Sequence, residues 1–204
     1  MAKNYDRPYF ERWYRHPAQR ITGKQVLERK VRLAVAVTEY YLGRPVRSVL
    51  DVGCGEGAWR APLLKLRPGL AYRGIDPSEY AIARYGSRRN LQPVRFGQLE
   101  NLRFGAPVDL LVCSDVMHYV PTRELTRGLS GFAELCSGVA FLEVFCREDD
   151  PDGDREGFIG RRAAWYRRAF DAAGFASCGS HCWLSPALRG EAAALEMASL
   201  SPSP

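Results

Sequence analysis

The chain of 204 residues has little lysine, only three histidines and no long apolar run. No stretch approaches the roughly 18 to 20 consecutive apolar residues that a membrane-spanning helix needs, and the first residues lack the charged-then-apolar order of an export signal. These absences predict a soluble, cytoplasmic protein without a membrane partner. The six cysteines are scattered through predicted strands and helices, so we expect reduced thiols and no disulfide framework.

Positive charge is concentrated at the start of the chain. Residues 1–47 contain eleven Lys and Arg residues against four Asp and Glu residues, whereas the remainder contains eighteen against nineteen. A basic segment can attract nucleic acid, although a solvated basic helix face is the commoner meaning of such a run. Nucleic acid is therefore a disfavoured partner that the sequence leaves open.

Strand-like and helix-like patterns alternate along most of the chain. We predict strands over 47–52, 71–75, 93–96, 108–113 and 138–146, and helices over 22–42, 57–66, 78–88, 122–136 and 161–173. Such βαβ units predict an α/β fold with a mainly parallel sheet and helices on both faces. Two short apolar pieces, 175–180 and 182–184, allow a C-terminal antiparallel hairpin.

The length suits a single domain over 1–204. We expect an N-terminal helical cap and packing helix over 1–44, an α/β core over 45–184 and a C-terminal tail over 185–204, which can form one weak helix.

The most informative segment is the apolar strand 49–52, which runs into Gly53, Gly55 and Gly57. Glycine permits a tight turn with no Cβ between the backbone and a bound molecule. The spacing is G-x-G-x-G, which counts against the G-x-G-x-x-G site of a nicotinamide dinucleotide. Asp76 ends the next predicted strand, where a carboxylate can accept hydrogen bonds from ribose hydroxyls. Together these features predict a nucleoside ligand.

This arrangement resembles the class I S-adenosylmethionine-dependent methyltransferases of the small-molecule type. In that family a D-x-G-x-G-x-G turn holds the methionyl part of the cofactor, and an acidic residue after the second strand holds the ribose. The resemblance covers roughly 46–146 and implies a Rossmann-like fold with S-adenosyl-L-methionine as cofactor. It implies cofactor contacts at Asp51, Gly53, Cys54, Gly55, Gly57, Asp76, Pro77, Gln98, Leu99, Ser114 and Asp115. Gln98 stands where an aspartate is common, so an acceptor is kept and a charge is lost.

The chemistry of the cofactor agrees with these residues. Adenosylmethionine has no phosphate, so its site needs close backbone approach and acceptors for an ammonium and two hydroxyls. Our leading hypothesis is methyl transfer to an O, N or C nucleophile of a small molecule. One alternative is an RNA or protein methyltransferase that uses the basic N-terminal segment, although residues 114–117 read S-D-V-M and lack the N/D-P-P-Y/F motif of base-modifying enzymes. Another is a non-catalytic cofactor-binding or partner-activating subunit.

A general base is needed only when the acceptor arrives protonated. His118 is the best candidate, with a structural histidine as the alternative reading, and Tyr119 and Glu143 are weaker candidates. The N-terminal aromatic residues Tyr5, Tyr9 and Trp13, together with His118 and Tyr119, are candidates for contact with the substrate. The acidic loop 148–156 would suit a cationic amine acceptor, or it is simply a solvated loop.

Two metal-like patterns fail on inspection. Asp150, Asp152 and Asp154 imitate a calcium loop, but Arg155 and Arg161 stand where an EF-hand needs glycine and glutamate. Cys178, His181 and Cys182 offer three zinc ligands without an evident fourth. We therefore expect no metal site.

Overall fold

The computed structural model describes residues 5–15, 23–149 and 154–196. Asp150 and Asp152 of the acidic loop, the first residue of the predicted helix 22–42 and the last residues of the tail lie outside this part. No helix within the described ranges is long and apolar enough to cross a membrane.

A seven-stranded sheet forms the centre of the described chain, in the order β3-β2-β1-β4-β5-β7-β6. The strands are β1 Ser48–Val52, β2 Ala71–Asp76, β3 Leu91–Pro93, β4 Val108–Ser114, β5 Cys136–Glu143, β6 Ala176–Gly179 and β7 Cys182–Leu184. β3, β2, β1, β4 and β5 pair in parallel, whereas β7 runs antiparallel to both β5 and β6. The predicted α/β fold, including its C-terminal hairpin, is confirmed.

Helices cover both faces of this sheet. They are α1 Arg7–Phe10, α2 Lys24–Leu42, α3 Arg60–Leu66, α4 Glu79–Arg89, α5 Thr122–Ser130, α6 Phe132–Leu135 and α7 Ala163–Ala172. Successive side chains of each strand point to opposite faces of the sheet, so the core consists of two clusters, one on each face. Val49, Tyr72 and Phe141 pack with α2 and α3, whereas Leu50, Ile75 and Leu142 pack with α5 and α7.

Several predicted boundaries were wrong. The third strand is 91–93 and not 93–96, because a 3₁₀ turn begins at Phe96. The helix predicted from 57 begins at Arg60, since the Gly57 N–H donates to the Cys54 carbonyl within the preceding turn. The helix predicted over 122–136 is two helices separated by Gly131, where the backbone approaches Leu99 so closely that a Cβ would lie 1.9 Å from its carbonyl oxygen.

Smaller differences concern the ends of two other elements. β5 covers 136–143 and stops before the predicted end at 146, and α7 begins at Ala163. In the described part of the tail a 3₁₀ turn covers Arg189–Glu191, and the part of the expected weak helix beyond residue 196 lies outside the described residues.

The order of connection reverses at β1, which pairs with β2 on one side and with β4 on the other. In open α/β sheets, ligands bind outside the carboxyl ends of the strands at such a switch point. The glycine turn follows β1 directly, so the topology brings the predicted site to this position.

Candidate active site

The glycine turn is built from left-handed backbone conformations. Gly53, Gly55 and Gly57 have φ angles of 70°, 53° and 77°, a region that side-chain-bearing residues rarely adopt. The Gly53 and Cys54 N–H groups donate to the Ile75 carbonyl at 2.8 and 3.1 Å, which joins the turn to the end of β2. The turn thus presents bare backbone at the carboxyl edge of the sheet.

Close neighbours restrict the space for side chains on these glycines, most severely at Gly53. A Cβ on Gly53 would lie 2.4 Å from Cγ2 of Val116, and one on Gly55 would lie 3.1 Å from the Phe10 ring. The Cys54 side chain packs into the core and would contact a Cβ at Gly74, so only the backbone of Cys54 is available to a ligand here.

Asp76 joins the glycine turn to the start of α4. Its Oδ2 accepts the Gly55 N–H at 2.8 Å and its Oδ1 accepts the Ser78 N–H at 2.8 Å. Burial raises the pKa of this carboxyl, and the two backbone hydrogen bonds oppose that effect. Each carboxylate oxygen has two lone pairs, so both oxygens retain capacity to accept ribose hydroxyls.

Asp51 is fully buried below the turn. Its Oδ2 accepts the Tyr72 hydroxyl at 2.7 Å. Burial raises the pKa of Asp51 to about 7; the Tyr72 hydrogen bond lowers it and the nearby Asp76 charge raises it further. Near neutral pH this carboxyl is therefore poised to ionise when a positive group approaches.

The end of β4 carries the next polar group. The Ser114 hydroxyl donates to Oε2 of Glu143, and Lys30 of α2 donates to the same carboxylate at 2.7 Å. Asp115 has a left-handed φ of 66°, and its N–H donates to the Glu143 carbonyl at 3.0 Å. Glu143, a weaker general-base candidate, is thus paired with a lysine at the end of β5.

His118 is buried, with 1% of its surface exposed. Its Nδ1 accepts the Phe145 N–H at 3.4 Å, and its Nε2 lies 3.8 Å from Oδ1 of Asp115. The ring also packs against Tyr119 and Phe158, with centroid distances of 4.2 and 5.4 Å. These contacts favour the structural reading of this histidine, because one ring nitrogen is occupied by a backbone donor.

The N-terminal cap lies directly on the glycine turn. Phe10 is buried against Gly55 and stacks on Tyr80 at 5.7 Å, and the hydroxyl oxygen of Tyr14 would lie 3.6 Å from a Cβ on Gly55. The Ser78 hydroxyl donates to the Tyr5 carbonyl at 2.6 Å. An ion pair between Arg15 and Glu56 fastens the end of the cap to the turn.

The predicted substrate residues are only partly brought together. Tyr5 and Tyr9 make an edge-to-face pair at 5.1 Å, and the Tyr119 hydroxyl donates to the Asp154 carbonyl at 2.7 Å. Trp13 lies instead under the guanidinium of Arg12, 4.8 Å from it.

The third predicted cofactor segment lies on the 3₁₀ turn over Phe96–Glu100. The side chain of Gln98 is exposed, and its Oε1 accepts the Arg95 N–H at 2.8 Å. Leu99 is fully buried in the core, so its side chain does not face a cleft, and Pro77 is exposed beside Asp76.

Sequence reasoning missed several groups that build this site. Tyr72, Lys30 and Phe10 bind or cover it from positions distant in the chain. Tyr72 carried a weak signal, since its inward position on β2 follows from the alternation. Nothing in the sequence pattern distinguishes Lys30 from the other cations of the basic segment.

The residues present fit the requirements of adenosylmethionine. The glycine turn allows close backbone approach, and Asp51 and Asp76 supply buried acceptors for an ammonium and for hydroxyls. Within the described ranges no group of three or more His, Cys, Asp or Glu residues could hold a metal ion. In the zinc-like pattern of Cys178, His181 and Cys182, the Cys178 thiol donates to the backbone carbonyl of Cys182 at 3.3 Å.

The doubly wound sheet and the glycine turn at its switch point define a Rossmann-like fold. Residues 50–138 match the family model described as a methyltransferase domain. Over this part the chain is similar to methyltransferase domains, and its fold is that of Rossmann-like methyltransferases. A comparison with curated proteins gives no match.

Solved structures of methyltransferases share the fold. The sugar N-methyltransferase KedS8 from Streptoalloteichus sp. ATCC 53650 is 18% identical, with 72% of this chain and 78% of that chain covered and a TM-score of 0.56. Magnesium protoporphyrin IX methyltransferase from Synechocystis PCC 6803, with bound SAM, is 20% identical over 84% and 82% with a TM-score of 0.57. The 1,6-didemethyltoxoflavin-N1-methyltransferase from Burkholderia thailandensis is 22% identical over 72% and 68% with a TM-score of 0.53. At these identities the likeness concerns the fold.

Proposed function

We propose that this protein transfers a methyl group from adenosylmethionine to an O, N or C nucleophile of a small molecule. The observation that carries the proposal is the packing of the aromatic cap on the glycine turn, with Phe10 buried against Gly55. A covered site suits a small acceptor better than a polymer. The structural neighbours named for a sugar, a porphyrin and a toxoflavin precursor support the same substrate class.

We assign the cofactor contacts to the residues around the glycine turn. Asp76 accepts the ribose hydroxyls, the backbone of Gly53, Cys54, Gly55 and Gly57 approaches the methionyl part, and Asp51 supplies negative charge beneath it. When bound, the cofactor supplies a methyl group on an activated sulfonium. The task of the protein is to orient the acceptor and exclude water, which the aromatic cap does from above.

The remaining predicted contacts are also proposals. We assign Ser114 and Asp115 to the sulfonium end, Pro77 to the adenine edge, and Gln98 and Leu99 to the adenine through their backbone. His118 is assigned to holding the loop after β4, through the Phe145 N–H, and a role as general base would require its Nε2 to act beside Asp115. We also propose that the single domain is divided into cap, core and tail by boundaries at residues 44 and 184.

The basic N-terminal segment gives little support to an RNA substrate. Arg7, Arg15, Lys30 and Arg44 of this segment are paired with acidic residues of the same chain. Their charge is therefore partly neutralised before any polymer approaches. A salt titration of RNA binding checks this, because phosphate contacts lose affinity steeply as salt rises, and tight binding with a steep salt slope would favour the polymer alternative.

Calorimetry with adenosylmethionine tests the cofactor site. We expect micromolar binding to the wild-type protein, and Asp76→Ala should weaken it by about 1 to 3 kcal/mol because a hydrogen-bonding partner of the ribose is lost. Asp171→Asn, on the exposed surface of α7, should bind the cofactor normally. Thermal unfolding of each variant verifies the fold. Unchanged affinity in a folded Asp76→Ala variant would show that the ribose lies elsewhere.

Transfer of a labelled methyl group separates an enzyme from a non-catalytic subunit. A panel of small amines, phenols and carboxylic acids, incubated with labelled adenosylmethionine, should yield a labelled product of low mass. Cofactor binding with no transfer to any acceptor, alone or with cell extract, would favour the non-catalytic alternative.

A further inference from the structure

A cavity lies at the amino ends of β1 and β2, at the opposite edge of the sheet from the glycine turn. It is enclosed by the first residues of β1, β2 and β4, by the loop 104–106 and by the end of α6. Its volume is about 160 Å³. Since a cavity of about 150 Å³ accommodates a benzene ring, this one has room for a ligand with a single ring.

Much of the cavity wall is apolar. Leu50 and Leu135 belong to the core cluster on the α5 and α7 face of the sheet, and Val108 and Phe104 pack against that cluster. Such a wall favours the ring or short hydrocarbon chain of a ligand over a fully hydrated inorganic ion.

Arg73 supplies a positive charge to the cavity, and none of the described residues that line it is acidic. The Arg73 Nη1 donates to the Phe104 carbonyl at 3.2 Å, and the guanidinium lies over the Phe104 ring, 4.9 Å from its centroid. These two contacts orient the half-buried guanidinium. Among the described residues its side chain makes no other hydrogen bond and no ion pair, so most of its five N–H donors remain available to a ligand.

Two further polar side chains of the wall can donate hydrogen bonds. The Ser48 hydroxyl oxygen accepts the Asp109 N–H at 3.0 Å, which leaves the hydroxyl proton for another bond. The Asn90 amide donates one hydrogen to the Tyr72 carbonyl at 2.7 Å and has a second hydrogen to donate. The cavity therefore combines one cation and neutral donors, and this combination is complementary to an anion.

Neighbouring arginines already have acidic partners. Arg103, in the loop next to the cavity, pairs with Glu134 at 2.7 Å, and Arg127 of α5 pairs with Glu100 at 3.1 Å. Arg73 differs from both because its guanidinium has an aromatic neighbour in place of a carboxylate. The planar fork of a guanidinium matches the two oxygens of a carboxylate, which can accept two parallel hydrogen bonds.

We propose that this cavity is a second ligand site, which binds a small carboxylate that carries one ring or a short apolar chain. The carboxylate accepts hydrogen bonds from Arg73, and the apolar part lies against Leu50, Val108 and Leu135. The site is separate from the glycine turn, and the proposal does not depend on the proposed function.

A matched series of ligands tests the charge and the apolar wall. Benzoate, benzyl alcohol and benzylamine have similar shapes and differ in charge, whereas acetate has the carboxylate without the ring. Their binding to the full chain is measured by calorimetry. We expect benzoate to bind about tenfold more tightly than benzyl alcohol or acetate, and benzylamine to bind most weakly. Equal affinities for benzoate and benzyl alcohol, or tighter binding of benzylamine, would overturn the proposal.

The same titration with S-adenosylhomocysteine present tests where benzoate binds. The benzoate affinity should be unchanged, because the cavity and the glycine turn lie at opposite ends of β1. Loss of benzoate binding would place the anion at the proposed cofactor site and contradict the proposal. Failure of S-adenosylhomocysteine itself to bind would count against the proposed function, and the benzoate series would still decide the cavity.

Variants of Arg73 assign the preference to this cavity. Arg73→Met should weaken benzoate binding about tenfold and leave benzyl alcohol unchanged, since only the anion loses an interaction. Arg73→Lys should recover part of the affinity because it restores the charge without the planar fork. Arg127→Met, at an exposed ion pair on α5, is the control and should match the wild type.

Thermal unfolding verifies the fold of each variant. Unchanged benzoate affinity in Arg73→Met would show that benzoate is an adventitious ion only, bound elsewhere on this basic protein. Equal losses for benzoate and benzyl alcohol would show that the substitution changed the shape of the cavity and not its charge. Either result would contradict the proposal.

Discussion

Asp51→Asn should stabilise the protein. Its free energy of unfolding, relative to that of the wild type, should increase as the pH rises. In the wild type, burial raises the pKa of Asp51 from its ordinary value of 3.8 to about 7. Below pH 3.8 the carboxyl is protonated in both the folded and the unfolded state. Between pH 3.8 and 7 the unfolded carboxyl ionises while the folded one stays protonated, so the free energy of unfolding falls as the pH rises.

The size of this effect follows from the difference in pKa. A difference of about 3 at 1.36 kcal/mol each corresponds to about 4 kcal/mol. The asparagine side chain of the variant cannot ionise, and its amide oxygen can still accept the Tyr72 hydroxyl. The stability of Asp51→Asn relative to wild type should therefore increase by about 4 kcal/mol between pH 4 and pH 8.

Urea unfolding followed by circular dichroism, repeated across this pH range, measures the difference. Asp109→Asn is the matched control, since hydrogen bonds from Arg44 and Arg47 outweigh burial and hold the pKa of Asp109 below its usual value. Its loss of stability relative to wild type should be complete by about pH 5 and constant above it. A difference between Asp51→Asn and wild type that does not change with pH would refute the burial argument.

Two further substitutions test the backbone of the site. Gly53→Ala should lower the free energy of unfolding in urea more than Gly43→Ala does. Both glycines have a left-handed φ, but only a Cβ on Gly53 would lie against Val116. Equal losses, near about 1 kcal/mol for each variant, would contradict the close packing at Gly53. Arg161→Met should lower the free energy of unfolding by about 2 to 4 kcal/mol, because the buried guanidinium donates to the Met117 and Val120 carbonyls. Arg127→Met, at an exposed ion pair, is the control and should lower the free energy of unfolding by less than about 1 kcal/mol. Similar losses in the two variants would show that Arg161 does not stabilise the loop after β4.

Local patterns were sufficient for the sheet and for the glycine turn. Alternation of buried and exposed positions identifies a strand from its own residues, and three glycines at alternate positions require the same tight turn wherever the strand ends. The third strand was misplaced for a local reason as well. Val94 and Phe96 continue the apolar pattern, but pairing with β2 ends at Pro93. A proline is tolerated there because β3 is at the edge of the sheet.

Only the tertiary structure decided how charge is arranged around the site. Asp51 and Tyr72 are 21 residues apart, and Lys30 and Glu143 are 113 apart, so neither pair has a spacing that a sequence pattern could reveal. The burial that raises the pKa of Asp51 is likewise a property of the packed sheet.

The sequence by itself determined the glycine turn and the carboxylates beside it, because backbone conformation and strand ends depend on neighbouring residues. The fold decided that Phe10 of the aromatic cap covers this turn and that the Tyr119 hydroxyl donates to the Asp154 carbonyl. These contacts join segments 35 and 45 residues apart, and their specificity comes from packing that forms only when the whole sheet is assembled.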